Sequence, residues 1–190
     1  MGGGGLLGRS VVEALRGREF DVHSPSKNIL DLSARESLPA YLDNRHFDLV
    51  VNCAGHVGGI GQNVRHPFRF ARLNLEIEIN TQGALAESKI DCITFGTSSM
   101  YSPSMPTPYS EDVVFAGEPD PGNEGYSLAK RMSAKLVKLS NREFGLNNRM
   151  LVLSNIYGPN DHLDLDRAHL PAAAILKTDI EPLIEEESFL

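Results

Sequence analysis

The 190-residue sequence has no tryptophan and only two cysteines, Cys53 and Cys92. Each cysteine lies in an apolar run, Val50-Val51-Asn52-Cys53 and Cys92-Ile93. That pattern excludes a disulfide framework and a multi-cysteine zinc site, fits a reducing compartment, and suggests thiols that pack in a sheet rather than react. No metal site is expected. No apolar stretch approaches the roughly 18 residues of a membrane-spanning helix, and the first residues lack the basic-then-apolar design of a secretory leader. Lysine and arginine number 18 against 25 acidic residues, for a net charge of −7, and the basic residues do not cluster. A nucleic-acid backbone is therefore not the expected partner. These absences leave a cytoplasmic globular protein, long enough for one domain or for one domain and part of another, that handles small molecules.

What is present alternates short apolar runs with longer helical periods. The chain opens in Met1-Gly2-Gly3-Gly4-Gly5, and Leu6, Leu7, Val11, Val12 and Leu15 then predict a helix. Phe20-Asp21-Val22-His23 reads as a short strand, Leu38 to Leu42 as a brief helix, and Asp48 to Gly55 as a buried parallel strand. A long helix is expected after Pro67, carrying Phe70, Leu73, Ile77, Ala84 and Leu85. Asp91 to Phe95 is the next strand, and a loop rich in proline, serine and aspartate fills Ser102 to Gly125. Tyr126 to Phe144 reads as a helix with Leu128, Met132, Leu136 and Leu139 on one stripe and Gly145 as its stop; Met150 to Leu153 is the last strand. The segment from Ile180 through Glu187 is an acidic, solvated tail. Strands alternating with helices predict the α/β class: a Rossmann-like, doubly wound parallel sheet whose ligands sit beyond the carboxyl ends of the strands.

Three groups of residues could carry chemistry there. Gly2, Gly5 and Gly8 precede an amphipathic helix with the spacing a tight turn needs to present bare amides to a pyrophosphate, although a glycine run after Met1 also suits a flexible leader. Tyr126 and Lys130 lie four apart on one helix face, so an ammonium can lower the pKa of a phenol that exchanges protons with a carbonyl oxygen; the same spacing arises by chance in many helices. Thr97, Ser98 and Ser99 follow a strand, where they supply positioning hydroxyls or form an ordinary polar loop.

Their order along the chain narrows the choice: a glycine turn, a strand ending Asn52-Cys53-Ala54-Gly55, a strand ending in hydroxyls, then Tyr-x-x-x-Lys opening a helix. This layout resembles the extended, sugar-nucleotide branch of the short-chain dehydrogenase/reductases, the NAD-dependent epimerase/dehydratase family. Val57-Gly58-Gly59-Ile60, Gly96 to Tyr101, Asn123-Glu124-Gly125-Tyr126, Asn141 to Gly145 and Asn155-Ile156-Tyr157-Gly158-Pro159 sharpen the resemblance toward the GDP-L-fucose synthases, from about Gly2 to about Ile175.

The resemblance implies an oxidoreductase and isomerase that uses NADPH, with NAD less favoured, to epimerise and reduce a GDP-linked 4-keto-6-deoxymannose. Gly2, Gly5 and Gly8 would hold the pyrophosphate, Asp31 would meet the adenine, and Ala54 and Gly55 would pass the ribose. Thr97 would take the place of the catalytic serine, Tyr126 would donate the proton to the sugar C4 oxygen, and Lys130 would lower its pKa and bind the nicotinamide ribose. Ser98 and Asn155 would meet the substrate. His169 stands where the family keeps its epimerisation histidine, with His162 as plain loop surface, and Ser99 occupies the position of its partner cysteine. A serine hydroxyl is a far weaker acid than a thiol titrating near about 8.5, so reduction without full epimerisation is one expectation. Lys27, after Ser24-Pro25-Ser26, either pairs with a 2′-phosphate or is a solvated lysine. A homodimer through a four-helix bundle follows from the same likeness.

Residues 1–160 then form the dinucleotide-binding domain and 161–190 begin the substrate-binding region. Against the family pattern the strand before the glycine turn is missing, and with it a ladder for the strands near Val22 and Ile93; most of the carboxyl-terminal substrate domain is missing too. Two readings follow: a nucleotide-sugar epimerase/reductase or a related epimerase/dehydratase, or a truncated, non-catalytic relative that at most binds dinucleotide.

Overall fold

The computed structural model describes residues 1–158, so the expectations for His162, His169 and the acidic tail lie outside the described residues. The elements run α1 (Leu6–Arg16), α2 (Ser37–Leu42), β1 (Val50–Asn52), α3 (Ile60–Arg65), α4 (Pro67–Ser88), β2 (Cys92–Thr97), α5 (Glu124–Phe144) and β3 (Arg149–Leu153). The three strands form a parallel sheet in the order β1-β2-β3, with Val51 opposite Ile93 and Thr94 opposite Met150. Each parallel crossover is helical, because a chain leaving the end of one strand must return the full length of the sheet before it can pair again. Pro67 opens α4, where its missing N–H leaves no intrahelical bond unmade. Lys89 and Gly145 close α4 and α5 in the left-handed region, at φ 57° and 70°.

Two expectations about the sheet are corrected. No strand forms at Phe20–His23, and Phe20 is 59% exposed. The segment pairs with no strand among the described residues, while Met1 lies beside β1: its amino group donates to the Val51 carbonyl (2.7 Å) and its carbonyl accepts from Cys53 N (3.0 Å). That pairing also places the position before the glycine turn beside β1, so the Ile93 strand, β2, is one strand removed from it. Helix α3 was not foreseen from the sequence, and α5 starts two residues before Tyr126.

Leu30, Leu38, Leu42, Val50, Leu85 and Cys92 gather α2, α4 and the start of the sheet into the main apolar cluster. A fully buried leucine such as Leu38 or Leu85 contributes about 1.5–3 kcal/mol. The α4–α5 seam is built differently. Polar residues are buried on both helices, Asn74, Glu78, Thr81 and Gln82 on α4 and Ser127, Lys130, Ser133 and Ser140 on α5, and Ser140 Oγ donates to Gln82 Oε1 across the seam (3.3 Å). The apolar stripe of α5 faces outward instead, with Leu128 43% and Met132 49% exposed. Buried polar groups on this scale must find partners. Asn148 supplies several: its Oδ1 accepts from Cys92 N (2.7 Å), and its Nδ2 donates to Gln82 Oε1 and to Ser140 Oγ (3.1 Å each).

The seam closes at Gly125, where a Cβ would collide with the Pro67 carbonyl oxygen and lie 2.7 Å from its carbon. Both atoms are backbone, so neither side can yield cheaply. Gly125→Ala is expected to lower stability by about 1–3 kcal/mol, read as a lower urea midpoint with an unchanged slope; an unchanged midpoint would show that the helices separate freely.

Candidate active site

The glycine turn is fitted to the end of β1 by backbone contact. Gly2 has φ +72°, and a Cβ on it would lie 2.5 Å from Ala54 N. A Cβ on Gly8 would meet the Gly2 carbonyl oxygen, and one on Gly3 would meet Ser24 Oγ, so α1 and the loop after His23 both press onto the turn. Gly4 differs: nothing lies within 4 Å of its would-be Cβ, and Gly4 and Gly5 are exposed. Gly5 caps α1 without any side-chain bond, so the first-turn amides of this 11-residue helix have no capping side chain. A diphosphate fits that chemistry, taking N–H donors and the positive end of the helix dipole together.

Around the turn, the Asp31 carboxylate accepts from Ser33 N (3.0 Å) and Ser33 Oγ (2.7 Å), which holds it below the ordinary carboxylate range. Asn80 Nδ2, on α4, donates to the Leu32 carbonyl (2.9 Å) and ties this loop to the domain. Ala54 N donates to Asn52 Oδ1 (3.1 Å), and the buried Asn52 Nδ2 has no partner among the described residues. Gly55, just after β1, and Lys27 are exposed.

The hydroxyl loop and α5 meet beyond the end of β2. Ser127 Oγ donates to Ser99 Oγ (3.1 Å), and the Ser99 hydroxyl and amide both point at Thr97 Oγ1 (3.4 Å each). Lys130 Nζ donates to the Phe95 carbonyl (2.9 Å) and lies 5.9 Å from the centroid of the Tyr126 ring. Burial pushes the Tyr126 phenol up to about 12 and holds the Lys130 ammonium below its ordinary value, opposed by the charges of Glu78 and Cys53. The depressed phenol expected from the Tyr-x-x-x-Lys spacing is thus not found in the protein alone, where burial sets the direction of the shift. Thr97, Ser98, Ser99, Tyr126 and Lys130 share one locality, and Asn155 lies exposed in the segment after β3. Neither cysteine is among them: Cys92 opens β2 with its thiol pushed up to about 12 by burial, and burial also raises Cys53. No group of three or more metal-ligating side chains occurs among the described residues.

Three residues of the site escaped the sequence reading. Ser127 falls on the buried face of α5 that also carries Lys130 and Ser133, a spacing visible in the sequence. Glu78 follows Asn74 by one helical turn on the buried face of α4. Arg131 binds backbone carbonyls only, at Met100 (Nε, 2.6 Å) and Gly117 (Nη1, 2.7 Å), and so pins the loop after Tyr101; nothing in its spacing shows this.

Comparison with known proteins bears on the fold and the class. A model of the NAD dependent epimerase/dehydratase family matches residues 1–182. The chain belongs to that family. A GDP-L-colitose synthase of Yersinia pseudotuberculosis is 32% identical over 93% of the chain and 58% of its own length. A GDP-L-fucose synthase of Azorhizobium caulinodans is 30% identical over 93% of the chain and 57% of its own. Among solved structures, a GDP-6-OMe-4-keto-L-xylo-heptose reductase from Campylobacter jejuni superposes with a TM-score of 0.89 at 25% identity, covering 98% of this chain and 54% of that one. The chain spans somewhat more than half the length of these relatives. The likeness makes the sheet Rossmann-like, and its relatives handle GDP-linked sugars.

The Tyr126 assignment is open to direct test. Because its folded pKa is raised, the phenol stays protonated where an unfolded tyrosine ionises near about 10, and the stability it contributes is lost as the pH rises from there toward its folded value. Absorbance titration at 295 nm of wild type minus Tyr126→Phe is expected to show no ionisation near 10 and a component near 12; a difference signal centred at 10 would place the phenol in solvent.

Proposed function

We propose that residues 1–160 form the cofactor-binding and proton-donating part of an NADPH-dependent reductase of GDP-linked 4-keto sugars. The observation that carries this reading is the approach of α5 to the carboxyl end of β2, where Lys130 bonds the Phe95 carbonyl beside the Tyr126 ring and Ser127 bonds Ser99, itself aimed at Thr97, with a glycine turn at the end of β1 whose chemistry suits a pyrophosphate. Gly2, Gly5 and Gly8 would hold the diphosphate, Asp31 the adenine, Ala54 and Gly55 the ribose near them, and Lys130 the nicotinamide ribose. Bound there, NADPH supplies the hydride for the C4 ketone. Related structures support that cofactor, since a GDP-heptose synthase of 25% identity was crystallised with NADPH and a GDP-mannoheptose C4 reductase of 26% identity with NADP.

The side chains do the remaining work. Thr97 donates a hydrogen bond to the C4 oxygen, and Tyr126 passes that oxygen a proton. Even with its pKa raised by burial, a phenol is a stronger acid than the sugar alcohol it creates, so the transfer runs downhill. The Lys130 ammonium then stabilises the phenolate left behind. Ser98 and Asn155 would orient the sugar.

Epimerisation is a separate demand, because it needs an acid able to return a carbon-bound proton. Ser99 accepts from Ser127 and points its own hydroxyl at Thr97, an arrangement suited to aiming Thr97 and not to titrating near neutrality. The reading is therefore reduction without C3/C5 epimerisation.

The outward apolar stripe of α5, with Phe68 of α4 76% exposed beside Leu128 and Met132, supports a homodimer through a four-helix bundle. Light scattering is expected to give twice the chain mass, and Leu128→Glu/Met132→Glu to halve it; a monomeric wild type would refute the pairing.

For the function, saturable quenching or a spectral shift of NADPH fluorescence is expected, weakened tenfold or more by Lys130→Ala. Turnover of GDP-4-keto-6-deoxymannose in D₂O is expected to oxidise NADPH with no deuterium at C3 or C5. Deuterium at those carbons would refute the reductase-only reading, and no binding by folded protein at millimolar NADPH would favour a non-catalytic relative.

A further inference from the structure

Glu78 is 2% exposed and stands on the face of α4 that packs over β2. Its hydrogen bonds have a direction that can be traced to the backbone. Cys92 N can only donate, and it does so to Asn148 Oδ1 (2.7 Å), which fixes the Asn148 amide with Nδ2 outward. Asn148 Nδ2 then donates to Gln82 Oε1 (3.1 Å), which fixes the Gln82 amide in turn. Gln82 Nε2 is left to donate to Glu78 Oε1 (3.0 Å), while Thr94 Oγ1 donates to Glu78 Oε2 (3.3 Å). One carboxylate oxygen thus faces an amide that can only donate and the other faces a hydroxyl free to donate, a set that suits an ionised carboxylate. An ionised carboxylate this deep needs a cation to offset its lost hydration.

Lys130 is the buried cation at hand. It is 7% exposed, comes to the same strand from α5, and its Nζ is bonded to the Phe95 carbonyl, one residue along β2 from Thr94. The two charges make no direct ion pair within 4 Å, so each keeps its own neutral hydrogen-bond partners. The other buried cation of α5, Arg131, is spent on the carbonyls of Met100 and Gly117. Cys53, near the end of β1, and Tyr126, on the same helix, also face Lys130, and Cys92 faces Glu78.

We infer that Glu78 is a positioning residue for the active-site lysine: a buried counter-charge, set through Thr94 and Gln82, that keeps Lys130 protonated against the Phe95 carbonyl. This rests on the proposed role of Lys130 in the function above, but the pairing of charges is a property of the protein alone. Burial lowers the Lys130 pKa and the Glu78 charge raises it, so removing that charge must lower it further.

The test uses protein with ¹³C-labelled lysine and no NADPH, following the Lys130 Cε resonance with pH, with Lys130→Arg to identify it. Glu78→Gln is expected to bring the Lys130 midpoint down by one pH unit or more, a tenfold loss of proton affinity, whereas Glu78→Asp keeps most of it. An unchanged midpoint in folded Glu78→Gln overturns the inference. Should that variant not fold, Glu78→Gln/Lys130→Met is expected to fold, because it removes both charges together; a double variant as unfolded as the single one shows that Glu78 acts only through its hydrogen bonds. Failure of NADPH to bind would refute the proposed function and leave the titration result standing.

Discussion

The backbone contact of Gly125 with the Pro67 carbonyl sets how closely α5 approaches α4, and the chemistry of the domain depends on that distance. A helix held this close cannot place leucines at the contact, so the buried face of α5 carries Gly125, Ser127, Ala129 and Ser133. Small residues bring the backbone of α5 down onto the end of β2. Only from there can Lys130 reach the Phe95 carbonyl and Ser127 reach Ser99. Ser127, Lys130 and Arg131 then bond Ser99, Phe95, Met100 and Gly117 from little more than one turn of a single helix. The same tightness turns the apolar stripe of α5 to the outside.

Packing of this kind carries a cost that an apolar seam would not. A buried polar atom left without a partner costs about 1–3 kcal/mol, and both helices bury several polar side chains. The protein meets this with amides whose orientation is dictated in sequence from the Cys92 backbone through Asn148 and Gln82 to Glu78. Because one end of the chain is a backbone N–H, no member can reverse without breaking the set. The result is a charged group placed under the site by the sheet itself.

The sequence was most legible where one physical rule acts alone. The continuous apolar runs at Val50 and Cys92 became parallel strands, and Gly145 stopped α5 where a left-handed residue was needed. The glycine turn was legible because its spacing answers to two backbone contacts, Gly2 with Ala54 and Gly8 with Gly2. Legibility failed where the partner decides the outcome. Phe20–His23 has strand composition, but composition does not supply the backbone partners a strand needs, and the segment pairs with none of the described strands. The stripe of Leu128, Met132 and Leu139 reads as a core face in any single helix, and no periodicity announces that the polar face will be buried. Glu78 and Ser127 were missed for that reason: the sequence shows which helix face they share, not which of two faces packs inward.

The opposed shifts at the site suit one direction of chemistry. Burial makes Tyr126 a reluctant acid and Lys130 a reluctant cation, so desolvation alone drives both toward their neutral forms. A neutral tyrosine is the form that a proton donor must hold at rest. A neutral lysine would be useless, because the phenolate that appears once the proton has gone needs a positive charge already in place. Burial of the pair therefore solves the first requirement and endangers the second. A fixed negative charge that acts on the lysine and not on the phenol restores the second without touching the first. Glu78, held by Thr94 and Gln82, raises Lys130 and is not among the causes that shift Tyr126.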